Sequence, residues 1–197
     1  MNRSRIILSP LNIHNIDSSW TLFLDRDGVI NKRLPGQYVK HISDFDILPG
    51  VLETIAYFSK FFGRIIIVTN QQGIAKGLLS ADDVHCVHDF LRKRVRATGG
   101  RIDRIYFCGD WADAIPNCRK PHPHMALQAQ KDFPEIEFSK SIMVGDMPSD
   151  IAFGQELGMI TIWVQEDRNH PYPGKTKPDF ITNSLESVPT EIIPPLP

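Results

Sequence analysis

An α/β fold with a mostly parallel sheet is what this sequence of 197 residues predicts, and three observations carry it. Short, apolar, often β-branched runs of strand length recur, with segments of helical periodicity between most of them. Several of these runs stop on polar residues, as strands do where an open parallel sheet places its chemistry. The composition, 42% hydrophobic and 23% charged, is that of a globular chain long enough to bury a substantial core.

Thr21-Leu22-Phe23-Leu24 reads as the first buried strand and runs straight into Asp25-Arg26-Asp27-Gly28. Residues 31–49, polar and holding Pro35-Gly36, Asp44 and Asp46, read as a flap between that strand and a helix. The helix follows because Val51, Leu52, Ile55 and Phe58 share one face. Ile65-Ile66-Ile67-Val68 is a second strand that stops on Thr69-Asn70. Ser80 with Asp83 forms a capping box for a helix carrying Val84, Val87, Leu91 and Val95, which Gly99-Gly100 ends. Residues 102–107 form a third strand, residues 108–123 an irregular loop, and a helix begins near His124. Ile142-Met143-Val144 is a fourth strand ending in Gly145-Asp146. A helix through Ile151, Ala152 and Leu157 comes next, then a strand over 160–164 and a short one at Phe180-Ile181. Residues 1–19 read as an N-terminal extension, 20–188 as a single domain, and 189–197, with four prolines, as an irregular tail.

A net charge of -1 supplies no basic field to attract nucleic acid or a membrane surface. The basic run Arg92, Lys93, Arg94 and Arg96 falls at a predicted helix end, where cations complement the dipole. Cys86, Cys108 and Cys118 are too few and too sparse for a disulfide framework, which fits a reducing cytosol. No apolar run approaches membrane-spanning length, and Ile6-Ile7-Leu8 before Pro10 is too short for a signal-peptide core. The expectation is a cytoplasmic monomer with no nucleic-acid or membrane partner.

Three strands end in polar signals on what this alternation predicts to be one sheet edge: Asp25 and Asp27, Thr69-Asn70, and Asp146 with Asp150. Lys120-Pro121 precedes a helix between them. Each has a plain structural use, the acids as caps, Thr69-Asn70 as a strand stop and Lys120 as surface charge. One chemistry accounts for all of them together. A carboxylate can attack phosphorus, and a second acid can protonate the leaving alcohol and then deprotonate water. A hydroxyl and a lysine can hold the phosphoryl oxygens, and acids at a strand end suit Mg²⁺.

This order resembles the haloacid dehalogenase-like (HAD) superfamily, most of whose members are phosphatases. Phe23-Leu24-Asp25-Arg26-Asp27-Gly28-Val29-Ile30-Asn31, Tyr38-Val39, Leu48-Pro49-Gly50-Val51, Thr69-Asn70-Gln71-Gln72-Gly73-Ile74-Ala75-Lys76-Gly77 and Cys118-Arg119-Lys120-Pro121-His122-Pro123 are similar to one subfamily. It holds the D-glycero-D-manno-heptose 1,7-bisphosphate 7-phosphatases, with the histidinol-phosphate phosphatases as close relatives. The resemblance covers residues 23–164 and implies a three-layer, Rossmann-like sheet with a minimal cap. It implies Asp25 as nucleophile and Mg²⁺ ligand, and Asp27 as general acid/base with its carbonyl on the metal. Thr69 and Lys120 would hold the phosphoryl group, Asp146 would be a further Mg²⁺ ligand, and Asp150 would orient Lys120. Asn70 and Arg119 would reach the substrate, a small phosphate ester.

The subfamily usually carries a zinc loop before the Cys-Arg-Lys-Pro motif, and here Asp110 and Pro116 stand at two of its ligand positions. Two thiols remain where about four ligands are needed, so zinc is not expected, although Asp110 and His122 or His124 could add to the set, and Cys108 and Cys118 read as buried or idle thiols. Trp111 could close this loop or simply anchor it. His124 and Met147 also depart from the pattern, at positions commonly glycine and often lysine. A heptose bisphosphate is the leading substrate and histidinol phosphate the second. A polynucleotide 3′-phosphatase and a non-catalytic HAD-fold binding protein are the more distant alternatives.

Overall fold

The computed structural model describes residues 16–165 and 171–191, so the predicted extension over 1–15 and the tail over 192–197 lie outside the described residues. Six parallel strands form one sheet in the order β3-β2-β1-β4-β5-β6. They are β1 (Thr21–Leu24), β2 (Arg64–Asn70), β3 (Arg104–Cys108), β4 (Ser141–Gly145), β5 (Ile160–Val164) and β6 (Phe180–Thr182). Successive strands step outward from β1 on one side, then the chain returns to β4 on the other. The carboxyl ends of β1 and β4 therefore border the crevice where open sheets bind ligands.

Strand parity builds the three layers. Leu22, Leu24, Ile65, Ile67, Ile142 and Val144 pack on one face against α1 (Val51–Phe58) and α2 (Ala81–Ala97). Phe23, Ile66, Val68 and Met143, one residue out of phase, pack on the other against α3 (His124–Asp132) and α4 (Pro148–Glu156). Strands covered on both faces read as continuous apolar runs, which is why β1 and β2 carry so few polar residues. Each such Leu or Ile, fully buried, contributes roughly 1.5–3 kcal/mol. An aspartate at Ile66 would bury an unpaired charge between the sheet and its helices and break that layer.

Ser80 caps α2 as the sequence predicts: its side chain accepts from the Asp83 N–H at 3.1 Å, and the Asp83 carboxylate accepts from the Ser80 N–H at 2.7 Å. Three expectations need correction. Ile16, placed in the extension, is buried in the main core. Pro189, placed in an irregular tail, lies in a one-turn helix, α5 (Val188–Glu191), at whose start its missing N–H has no helical bond to lose. Cys108 and Cys118 are not idle thiols but a disulfide, their Cα atoms 5.5 Å apart, because the loop after β3 folds back on the strand end. That pairing removes cysteine usage as a ground for a reducing compartment. Among the described residues, no helix is long and apolar enough to cross a membrane.

Candidate active site

Asp25 leaves β1 with its N–H still donating to the Val144 carbonyl at 2.9 Å, so the strand ladder fixes it beside β4. Lys120, buried, reaches it from the loop before α3: Nζ lies 2.8 Å from Asp25 Oδ1, 2.7 Å from Asp150 Oδ1 and 2.7 Å from the Val68 carbonyl. Asp150 sits in the first turn of α4, where its second oxygen accepts from the Met147 N–H at 2.9 Å. One carboxylate thus caps a helix and orients a lysine. Asn70, at the end of β2, holds the Lys120 backbone from both sides, accepting from its N–H at 3.0 Å and donating to its carbonyl at 3.2 Å.

Asp27 points elsewhere. Its carboxylate accepts from Arg26 Nη2 at 2.9 and 3.0 Å, from Asn31 at 3.0 Å and from Gln71 at 2.9 Å. Gln71 also donates to the buried Thr69 hydroxyl at 2.8 Å, tying Asp27 to Thr69. Burial would raise the Asp27 carboxyl, but the Arg26 charge and these hydrogen bonds overcome it and hold the group below the usual carboxylate range. Asp25 goes the other way. Burial first, and the neighbouring carboxylates after it, push it up to about 7 against the pull of Lys120. Burial likewise raises Asp146 to about 6 despite its bonds to Arg33.

Side-chain oxygens of Asp25, Asp146 and Asp150 lie within 4.8 Å of one another. Hard oxygen donors so gathered fit Mg²⁺. Gly28 makes the gathering possible: at φ 95° it takes a conformation few L-residues adopt, and a Cβ there would collide with Asp146 Oδ2. Against these oxygens lies a residue the sequence did not point to. Arg33 donates from Nε to Asp146 Oδ2 at 2.8 Å, and from Nη2 to Asp146 Oδ1 at 2.5 Å and the Asp27 carbonyl at 2.9 Å.

Beside this centre opens a cavity of about 260 Å³ lined by Asp27, Arg33, Tyr38, Asn70, Lys76 and Arg119 among others. Every predicted site residue therefore meets at the carboxyl end of the sheet or at the mouth beside it. Asn70 and Arg119 line that mouth, although the Asn70 amide is engaged with Lys120. Trp111, about half exposed, is absent from the lining of this cavity. Sequence reading passed over Arg26, Arg33 and Gln71. Arg26 and Gln71 stand inside the quoted motifs, and their adjacency to Asp27 and Thr69 is the signal that could have found them. Cys108, Asp110 and Cys118 also cluster, and among the described residues no histidine joins them.

A central parallel sheet with an acid pair, a buried lysine and a third acid at its switch point defines a hydrolase of the HAD-like class. The sequence model of the HAD-hydrolase-like family matches residues 117–188. D-glycero-alpha-D-manno-heptose-1,7-bisphosphate 7-phosphatase of Mycobacterium bovis is 39% identical over 70% of this chain and 73% of its own length. The Burkholderia mallei enzyme of that name is 35% identical over 85% of this chain and 91% of its own. The solved D,D-heptose 1,7-bisphosphate phosphatase of B. bronchiseptica, complexed with magnesium and phosphate, superposes with a TM-score of 0.75 at 27% identity. It covers 86% of this chain and 95% of its own. This chain belongs to the heptose-1,7-bisphosphate 7-phosphatase family of the HAD-like hydrolases, and it is a phosphatase.

Proposed function

We propose that the substrate is a D-glycero-D-manno-heptose 1,7-bisphosphate, that the 7-phosphate is the one removed, and that Asp25 is the nucleophile. The mouth of the site carries the substrate reading. Arg33, Lys76 and Arg119 line it against the single acid Asp27, a charge balance that suits a second phosphate and opposes the cationic amine of histidinol phosphate. The names of the relatives support the same choice.

An Asp25 oxygen attacks phosphorus, the ester P–O bond breaks, and Asp27 gives its proton to the departing sugar oxygen. Asp27 is ionised at neutral pH, so the proton it gives is one it takes up from solvent as the phosphate anion arrives beside it and raises its proton affinity. Water then attacks the aspartyl-phosphate, Asp27 takes the water's proton, and inorganic phosphate leaves Asp25 free. Lys120 and the Thr69 hydroxyl hold the phosphoryl oxygens, and Asp150 keeps Lys120 aimed at Asp25. Asp25, Asp146 and the Asp27 carbonyl would hold Mg²⁺, which would supply there the positive charge that lets one anion approach another.

Phosphate release with Mg²⁺ from a heptose bisphosphate, histidinol phosphate and an aryl phosphate tests this. We expect kcat/KM for the bisphosphate to exceed the others by about 10²-fold or more, and Asp25→Asn to release nothing. Equal or better turnover of histidinol phosphate rejects the substrate. Equal inertness of wild type and mutant toward all three rejects the chemistry.

A further inference from the structure

Arg33 places a full positive charge against the oxygens assigned above to Mg²⁺. Its Nη2 lies 2.5 Å from Asp146 Oδ1, 2.9 Å from the Asp27 carbonyl and 4.0 Å from Asp25 Oδ2. These are one oxygen from each of the three residues assigned to the ion, approached by a single nitrogen. Mg²⁺ binds oxygen at about 2.1 Å, so it and a guanidinium nitrogen cannot share this position. From these contacts we infer that Arg33 is an internal counter-ion that competes with Mg²⁺ for one place and withdraws toward the cavity when the ion binds.

The charge balance gives a reason for such a residue. Asp25, Asp146 and Asp150 converge, but Lys120 pairs only with Asp25 and Asp150, which leaves Asp146 with no ion pair but the one to Arg33 among the described residues. Unpaired carboxylates in a low-dielectric site are costly, and a guanidinium forked onto one of them offsets that cost. Arg33 is also free to leave. It stands at the start of the flap with its side chain 39% exposed, and it already lines the cavity into which it would turn. Lys120 has no such route: it is buried, does not line the cavity, and its Nζ is held by Asp25, Asp150 and the Val68 carbonyl.

The inference rests on the Mg²⁺ ligand set proposed above, and calorimetric titration of Mg²⁺ into chelator-treated full-length protein separates the two. Arg33→Gln is expected to bind Mg²⁺ about tenfold more tightly than wild type, with Arg33→Lys between them. Without divalent cation, Arg33→Gln is expected to melt below wild type, and saturating Mg²⁺ to close the gap. Should Arg33→Gln fail to fold by circular dichroism, tighter binding by Arg33→Lys supports the same role. Equal or weaker Mg²⁺ binding by a folded variant overturns the counter-ion role while leaving the ligand set intact. Failure of wild type to take up Mg²⁺ overturns both.

Discussion

The guanidinium of Arg26 forks onto the carboxylate of the next residue, Asp27, with Nη2 2.9 Å from Oδ1 and 3.0 Å from Oδ2. Consecutive side chains of a strand point to opposite faces, so the two meet only because the chain has left β1 and is turning into Gly28. Arg26 is itself buried, and its Nη1 lies 3.2 Å from Nε2 of His88 on α2. Burial first, then the Arg26 charge, pushes His88 down to about 3, so the ring is neutral and accepts this bond. Asp27 is thus wired, through Arg26, into the helical layer beneath the sheet.

Arg26→Gln should destabilise the protein by about 3 kcal/mol, because it leaves a largely buried carboxylate without its partner. The Asp27 pKa is depressed in the fold, so its contribution to stability is present above the unfolded value and is lost as pH falls through the folded one. Removing Arg26 raises the folded value and moves the acidic limb of the pH–rate profile upward. Urea unfolding and a kcat/KM profile check the two effects separately.

Mg²⁺ affinity should rise with pH across the range where Asp25 and Asp146 ionise, about 7 and about 6. Both values are raised, so below them the folded protein holds protons that an incoming cation must expel. The same sign makes the cation-free protein lose stability as pH rises from the unfolded carboxylate range toward 7. Titration at about pH 5.5 and about pH 8 should differ by at least an order of magnitude in Kd. A flat profile would mean these carboxyls are already ionised at the lower pH.

Gly28→Ala should weaken Mg²⁺ binding and activity together. The new Cβ would run into Asp146 Oδ2, at a backbone φ of 95°. Strain at such a position costs on the order of 1–3 kcal/mol, and the displaced Asp146 no longer completes the ligand set. The melting temperature and the Mg²⁺ isotherm of the variant are the measurements. Normal values for both would show that the turn can relax.

Reducing the Cys108–Cys118 disulfide should lower stability by about 3 kcal/mol, the loop-closure value for a ring of this size. Arg119 and Lys120 follow Cys118 directly, and the Cys118 N–H is further held by Asp110 Oδ2 at 3.0 Å. Loosening that anchor should raise KM for the bisphosphate more than it lowers kcat, because Lys120 keeps its buried contacts with Asp25 and Asp150. Thermal melts and steady-state kinetics of Cys118→Ser, beside wild type with and without reductant, check this. An unchanged KM would confine the disulfide to stability.

Strands buried on both faces were legible because their apolar runs had no competing reading. β1 and β5 match the predicted spans. The third strand was misplaced by two residues at its start, 102 against the observed Arg104. Its pairing with β2 begins at Ile66 opposite Arg104, and Asp103 instead exchanges hydrogen bonds with the Ile65 backbone. Only a neighbouring strand can set that limit.

Residue order by itself determined the sheet class and singled out Asp25, Asp27, Thr69, Asp146 and Asp150 near strand ends, with Lys120 ahead of a helix, because strand ends and helix starts are local signals. Tertiary structure alone decided what those groups touch. Arg33 and Asp146 are 113 positions apart, Lys120 and Asp25 95 apart, and no periodicity relates them. The Cys108–Cys118 bond and the cationic mouth were decided in the same way, by loops folding back onto one edge of a sheet. Charges and thiols act over a few ångströms, and chain separation carries no record of that distance.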